Sequence, residues 1–143
     1  MTDEEAIRDV VARYNLYGDR GRFDELLELF AEDATLVTDE ATYVGRAAIR
    51  QLFINSAGAD LQPERIRHFT STLVIDRTAA DRASVRAYFQ VLTGEGLDHW
   101  GTYRDILVRA GGRWLFSRRE VRVDGMTPGG WAARRLGRGH EAP

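Results

Sequence analysis

Three residues of this chain have types and positions suited to proton transfer: Asp19 at the end of the first predicted helix, His68 within a predicted strand, and Arg119 in the last predicted strand. The other two histidines lie elsewhere, His99 at the predicted tip of a hairpin and His140 in the C-terminal tail. An imidazole oriented by a carboxylate can accept and donate a proton near neutral pH. The sequence therefore predicts acid–base chemistry centred on Asp19 and His68.

Each member of this pair also has a structural interpretation. His68 could be a core histidine with one hydrogen-bond partner, because both faces of its strand carry apolar residues. Strict alternation puts on the face of His68 the residues Ile66, Thr70, Thr72 and Val74. Asp19 could be a solvated aspartate in a turn. A carboxylate at a helix C-terminus is unfavourable by about 0.3–1 kcal/mol, and a histidinium partner would offset that cost.

Tyr14 is a second candidate on the first helix. It lies on the apolar stripe, and a buried tyrosine hydroxyl needs a partner, which could be a substrate oxygen or a core residue. Tyr14 and Asp19 are five residues apart, an angle of about 140° around the helix. Both can therefore border one cavity only if the helix end unwinds or the cavity wraps around the helix.

Arg119 is the most informative of the arginines. Its predicted face of the last strand also contains Leu115, Ser117, Val121 and Val123. A buried guanidinium needs an anion or several acceptors. That anion could be developing charge on a substrate or an internal partner such as Asp105, and the sequence leaves both open.

The composition excludes several kinds of chemistry. The 143 residues, 43% of them hydrophobic, suit one domain, and a net charge of −2 gives no reason to bind nucleic acid. The chain has no cysteine, and all 20 basic residues are arginine, which excludes thiol nucleophiles and Schiff-base lysines. Three scattered histidines have no metal-ligand spacing. We expect no metal, no cofactor and no membrane association, and a cytoplasmic location, since the acidic N-terminus is no secretory signal.

The patterns predict helices first and antiparallel strands afterwards. A capping box at Thr2–Glu5 opens a helix that breaks near Gly21, and a second helix starts at about Phe23 with an apolar face that includes Phe30. Further predicted elements are a short strand at 34–38, a helix after Gly45, an irregular connection at 55–63, and strands at 65–75, 84–92, 99–109 and 113–123. This order indicates an α+β domain over residues 1–124, followed by a partly flexible C-terminal extension, residues 125–143.

Several segments, taken in order, resemble the SnoaL-like group of the nuclear transport factor 2-like superfamily. They are Arg13-Tyr14, Asp19-Arg-Gly-Arg-Phe-Asp24, Leu29-Phe30-Ala-Glu-Asp33-Ala34, Tyr43-Val-Gly45, Arg67-His68-Phe69, Gly101-Thr-Tyr103-Arg-Asp105, Gly112-Arg-Trp114-Leu-Phe116 and Arg118-Arg119. The resemblance implies a cone-shaped single domain, with three N-terminal helices packed in a strongly curved, mostly antiparallel sheet around a deep apolar pocket. It also implies a homodimer or homotrimer.

Within that group the chain looks most like the scytalone dehydratase, lindane dehydrochlorinase and bile-acid dehydratase branch. The resemblance implies catalytic roles for Asp19 and His68, and for Tyr14 and Arg119 by similarity to the bile-acid enzyme. The second pocket histidine of scytalone dehydratase has no clear counterpart, because we expect His99 on the hairpin and not inside the pocket. We expect the substrate-binding residues to be Tyr103, Phe53 and Trp100.

These observations favour a cofactor-independent lyase or isomerase of the dehydratase type, acting on a mostly apolar cyclic small molecule. Two other functions stay open. The chain could be a non-catalytic binder of small ligands or an accessory subunit of an oxygenase, with Asp19 and His68 as a structural pair. It could also be a polyketide cyclase, which would use similar acid–base groups.

Overall fold

The computed structural model describes residues 1–57 and 66–140, with side chains as far as residue 135. Four helices are present in these ranges: α1 (Asp3–Asp19), α2 (Phe23–Leu27), α3 (Arg46–Ala57) and α4 (Trp131–His140). The strands are β1 (Phe30–Val37), β2 (Thr42–Val44), β3 (Arg67–Ala79), β4 (Arg82–Thr93), β5 (Gly96–Ala110) and β6 (Arg113–Met126). The irregular connection expected at 55–63 is helical as far as Ala57, and its remainder lies outside the described residues.

The strands form one sheet in the order β2-β1-β6-β5-β4-β3. β1 runs parallel to β6, and the other neighbours are antiparallel. The core lies between the helices and the inner face of the sheet, where alternate residues of β4 are buried. This is the predicted α+β architecture. No helix in the described ranges has both the length and the apolar character that a membrane span requires.

α1 begins and ends where the sequence indicates. Thr2 Oγ1 accepts a hydrogen bond from the backbone N–H of Glu5, and the Glu5 carboxylate accepts one from the N–H of Thr2, which completes the capping box. The helix buries its apolar stripe against the sheet and stops at Asp19. Gly21 then has a φ of 68°, which glycine adopts without strain, so the chain can turn there.

α2 is shorter than the sequence pattern indicates. It ends at Leu27, and Phe30 begins β1 instead of continuing the helix. The backbone N–H of Phe116 donates to the carbonyl of Leu29 at 2.8 Å, and the rings of Phe30 and Phe116 lie 5.2 Å apart. Pairing with β6 therefore outweighs the local helical pattern.

A β-bulge decides which side chains of β3 face the interior. The pairing of β3 with β4 slips between Ser71 and Val74, and Thr72 within the slip has a φ of 55°. A bulge inserts one extra residue and so shifts the alternation of inward and outward side chains by one position. His68 before the bulge and Ile75 after it therefore share the inner face, although their positions differ by seven, an odd number.

This bulge corrects the alternation expected from the sequence. Thr72 and Val74, which alternation puts with His68, are exposed, and Leu73 packs against the core instead. The change of parity thus brings Leu73 and Ile75 to the inner face with His68, whereas Phe69 and Val74 are exposed on the outer face.

β6 contains a similar slip next to Arg119. The pairing of β5 with β6 shifts between Ile106 and Leu107, which pair with Arg118 and Phe116. Trp114 and Phe116 are buried, whereas Leu115 and Ser117 are only partly buried. The expected inward position of Arg119 is correct, but its inward neighbours before the slip are Trp114 and Phe116.

The C-terminal extension packs on the domain. β6 continues to Met126, and α4 follows after a turn. The carboxylate of Asp98 accepts hydrogen bonds from the backbone N–H groups of Trp131 and Ala132, at 2.7 and 3.2 Å. A carboxylate at a helix N-terminus is favourable, so Asp98 fixes the start of α4 against β5.

Candidate active site

The end of α1 and the start of β3 bring a carboxylate and an imidazole into contact. Nδ1 of His68 lies 2.5 Å from Oδ1 of Asp19, and the backbone N–H of His68 donates to Oδ2 at 2.9 Å. The side chain of Asp19 is 7% exposed and that of His68 28% exposed. A carboxylate only accepts hydrogen bonds, so Nδ1 carries the hydrogen of the neutral ring and Nε2 keeps the lone pair.

The position of Asp19 explains why it needs such a partner. It is the last residue of α1, and its carboxylate faces the negative end of the helix dipole. Two N–H donors from His68 compensate for the unfavourable charge, and they also fix the plane of the carboxylate. The ring is therefore oriented by the helix end and not by its own strand alone.

A second contact between α1 and β3 lies beside this pair, and the sequence analysis missed it. Asn15 is buried, and its Nδ2 donates to the hydroxyl of Thr70 at 2.6 Å. The hydroxyl of Tyr103 donates to Oδ1 of Asn15 at 3.1 Å. Asn15 precedes Asp19 by four residues and so shares its helix face, which is the signal that could have identified it.

Arg119 forms an internal ion pair. Its Nε and Nη2 donate to the two carboxylate oxygens of Asp105 at 2.8 and 2.9 Å, and neither side chain is exposed. Burial disfavours the cation, but the Asp105 carboxylate outweighs this effect and raises the pKa of Arg119. Of the two partners considered for a buried Arg119, the structure provides the internal one.

Aromatic rings enclose the rest of this guanidinium. Its Cζ lies 3.8 Å from the ring centroid of Tyr103, 4.1 Å from that of Tyr14 and 4.5 Å from that of Phe116. Among the described residues, Nη1 of Arg119 has no hydrogen-bond partner. Each buried polar group of this kind needs an explanation, and a ligand oxygen is one.

Tyr14 belongs to the cluster around Arg119, whose Cζ lies 4.1 Å from the centroid of its ring. Its ring packs edge-on against those of Phe53 and Tyr103, each with centroids 6.0 Å away. Burial raises the pKa of its hydroxyl, and the charge of Arg119 partly opposes this shift. α1 stays helical as far as Asp19, so Tyr14 and Asp19 project about 140° apart around the helix axis.

The expected substrate-binding residues separate into two groups. Tyr103 and Phe53 lie inside, and the ring of Tyr103 stacks on Phe89 at 4.5 Å. Trp100 lies on the outer face of the sheet, is 40% exposed and covers Gly125. The expectation for Trp100 is therefore wrong in location, because alternation along β5 places it opposite to Tyr103.

His99 is also not where the sequence indicates. It is a buried residue of β5, not the tip of a hairpin, and it shares a cross-strand row with Val91 and His68 on the inner face. Its Nδ1 lies 2.7 Å from Oδ2 of Asp98. Burial lowers the pKa of His99, against the opposing effect of Asp98. The interior thus contains a second carboxylate–imidazole pair.

Other parts of the molecule offer less chemistry. A surface cleft next to α2 and the β5–β6 turn is lined by residues that include Asp9, Arg13 and Trp114, but it contains no histidine and none of the expected site residues. Among the side chains that the structure describes, those of residues 1–57 and 66–135, no three His, Asp or Glu residues form a group able to hold a metal ion. The candidate site is therefore the interior surface between α1 and the inner face of β3–β5.

Comparison with known proteins agrees with this architecture. A putative scytalone dehydratase from Novosphingobium aromaticivorans is 25% identical, with a TM-score of 0.76 over 87% of this chain and 86% of that one. An NTF2-like protein with a cystatin-like fold from the same organism is 29% identical, with a TM-score of 0.76 over 94% and 88%. LinA shares the fold, with a TM-score of 0.79 at 21% identity over 87% and 88%.

No curated protein sequence matches the chain. A family model, that of the SnoaL-like domain, matches residues 1–120. The match covers α1 to α3 and the sheet as far as the middle of β6, and it includes Asp19, His68 and Arg119. This chain belongs to the SnoaL-like domain family.

Proposed function

We propose that this protein is a cofactor-independent lyase or isomerase of the dehydratase type, acting on a mostly apolar cyclic small molecule. The observation that carries the proposal is the bidentate contact of Asp19 with the ring and backbone of His68. It orients the imidazole so that Nε2 can act as a general base. Similarity to a putative scytalone dehydratase supports the same kind of activity.

In the proposed reaction, Nε2 of His68 removes a proton from a carbon next to an activating group. The electron pair forms a double bond as a hydroxyl group leaves, and the imidazolium returns the proton to that hydroxyl, which departs as water. Asp19 stabilises the imidazolium meanwhile. General-base assistance of this kind contributes about 10²–10⁴-fold to a rate.

Two further groups in the interior would stabilise the charge that develops on the substrate. The Tyr14 hydroxyl and the unpaired Nη1 of Arg119 would stabilise negative charge on an enolate or departing oxygen. His99, held as the neutral ring by burial, would accept a hydrogen bond from a substrate hydroxyl through its Nε2. The apolar side chains of Phe53 and Phe89, which pack in the same interior cluster, suit contact with a cyclic hydrocarbon skeleton.

The outer face of the sheet suits a second copy of the chain. Phe69, Tyr88 and Trp100 are exposed there, and we propose that they lie in the interface of a homodimer or homotrimer. In sedimentation velocity, the wild type should sediment as a dimer or trimer, and the Tyr88→Glu variant should shift to the monomer. A wild type that sediments as a monomer would contradict this part of the proposal.

One observation favours a second function. Arg119, expected to act on substrate, is paired internally with Asp105, so this part of the site also suits a protein that only holds its ligand. The alternative is a non-catalytic binder or an accessory subunit of an oxygenase. A polyketide cyclase would use the same His68 base and differ only in its substrate.

The test uses a panel of cyclic β-hydroxyketones in deuterium oxide, followed by mass spectrometry. We expect the wild type to eliminate water from at least one compound, or to exchange its acidic carbon-bound hydrogen. His68→Ala and Asp19→Asn should lose this activity while circular dichroism shows an intact fold. An exposed-surface variant on α1, away from the outer face of the sheet, Asp9→Asn, is the control. A fully active His68→Ala protein would contradict the mechanism, and binding of panel compounds without any turnover by the wild type would favour the non-catalytic alternative.

A further inference from the structure

Asn15 is a buried amide whose two ends are both used. Its Nδ2 donates to Thr70 Oγ1 on β3, and its Oδ1 accepts from the hydroxyl of Tyr103 on β5. In this orientation the amide N–H faces the Thr70 hydroxyl and the amide oxygen faces the Tyr103 hydroxyl, so each end of the amide has a partner. A buried amide with both ends satisfied connects α1 to two strands of the sheet.

The Asn15–Thr70 contact and the Asp19–His68 contact form two steps of one ladder. Asn15 and Asp19 are four residues apart on α1, a rise of about 6.0 Å. Thr70 and His68 are two residues apart on β3, a rise of about 6.6 Å. The two rises nearly match, so a helix held at the first step places its next carboxylate opposite the imidazole.

The helix end needs this support. Asp19 is the last residue of α1, glycines stand at positions 18 and 21, and no basic residue lies in the last turn. Helix ends fray, and a carboxylate at the negative end of the dipole adds to that tendency. Asn15 lies one full turn inside the helix, where the backbone is fixed. Its contact with β3 can therefore hold Asp19, one turn later, in its position opposite His68.

We propose that Asn15 is a positioning residue, with Thr70 as its partner, which sets the contact between Asp19 and His68. The inference rests on the proposed general-base role of His68. Tyr103 extends the effect, because its ring also covers Arg119 and so ties the ladder to the Asp105–Arg119 pair. Loss of the Asn15 contact lets the end of α1 move away from β3, and His68 then loses the partner that fixes its tautomer.

The test reads the His68 ring directly by ¹⁵N NMR at about pH 8, where an ordinary histidine is neutral. The wild type should show His68 with hydrogen on Nδ1. Asn15→Leu and Thr70→Val, which keep shape but remove the hydrogen bond, should shift the ring towards the Nε2–H form that an unpaired histidine prefers in water. Thr70→Ser keeps a hydroxyl and should restore the wild-type signal.

Val11→Ala is the matched control, because it removes buried volume from the same helix without touching the ladder. It should lower stability and leave the tautomer unchanged. If Asn15→Leu does not fold, Thr70→Val alone carries the test. A wild-type tautomer in Thr70→Val, at a loss of stability like that of Val11→Ala, would reduce Asn15 to a structural role.

The tautomer is read without substrate, so its result is independent of whether the protein is an enzyme. With any compound that the wild type turns over, Thr70→Val should lower kcat by about 10- to 100-fold and leave KM nearly unchanged, since displaced catalytic groups cost rate and not binding. A shifted tautomer together with an inactive wild type would uphold the positioning role and refute the proposed function.

Discussion

The buried pair of Asp105 and Arg119 allows a quantitative test of what holds the interior together. Both side chains are fully buried, the contact is bidentate, and three rings cover the guanidinium. Asp105→Asn keeps the shape of the acceptor but leaves the cation without a counter-charge. Removal of one partner from a buried pair costs about 3–5 kcal/mol. For a loss of about 4 kcal/mol and a urea m-value of about 2 kcal/mol/M, the unfolding midpoint falls by about 2 M.

The assay is equilibrium unfolding in urea at pH 7, followed by tryptophan fluorescence and circular dichroism. The double variant Asp105→Leu/Arg119→Met removes both charges and should be more stable than Asp105→Asn, because apolar residues of similar volume often replace buried pairs at little cost. Asp9→Asn is the control, since it breaks an ion pair with Arg13 whose side chains are 40% and 49% exposed and should cost under about 1 kcal/mol. Equal losses in Asp105→Asn and Asp9→Asn would refute this account of the interior.

Three further predictions concern strain, pH and close packing. Thr72 has a φ of 55°, which costs a non-glycine residue about 1–2 kcal/mol. Thr72→Gly should therefore leave the free energy of unfolding unchanged or raise it, whereas Val74→Gly in the regular strand should lower it. Urea midpoints that fall equally in both variants would contradict strain at Thr72. Burial lowers the pKa of His99, so the unfolded chain binds more protons than the folded protein as pH falls through about 6.5. The Tm of the wild type should therefore drop from pH 7 to pH 5, and the Tm of His99→Gln should drop less. An equal drop in the two proteins would contradict this role of His99. A Cβ on Gly101 would lie 1.9 Å from a backbone oxygen of the adjacent strand, so Gly101→Ala should strongly destabilise the protein. A Cβ on Gly18 in α1 would have no atom within 4 Å, so Gly18→Ala should stabilise the protein by about 0.5–1 kcal/mol. A calorimetric ranking of the two variants in the opposite order would contradict this packing.

Local signals predicted the elements because those signals depend on neighbours in sequence. The capping box at Thr2 and the break at Gly21 bound α1 as expected, and alternation located β4. Phe30 shows where such signals stop, because its helical spacing was real but pairing with β6 drew it into a strand. Asn15 could have been found from its spacing of four residues to Asp19, but only with the knowledge that this face meets β3.

The sequence by itself indicated the fold class and the pair Asp19 and His68 as candidates, since helix ends, strand periods and residue types are local properties. The family was indicated by the resemblance of its motifs, taken in order, to SnoaL-like proteins. Only the tertiary structure decided which side chains meet. The bulges at Thr72 and Ser117 each reverse the parity of a strand, and a single extra residue is invisible to a pattern of period two. The inward position of His99, the outward position of Trp100 and the pairing of Arg119 with Asp105 depend on the register between strands, which residues distant in sequence set together.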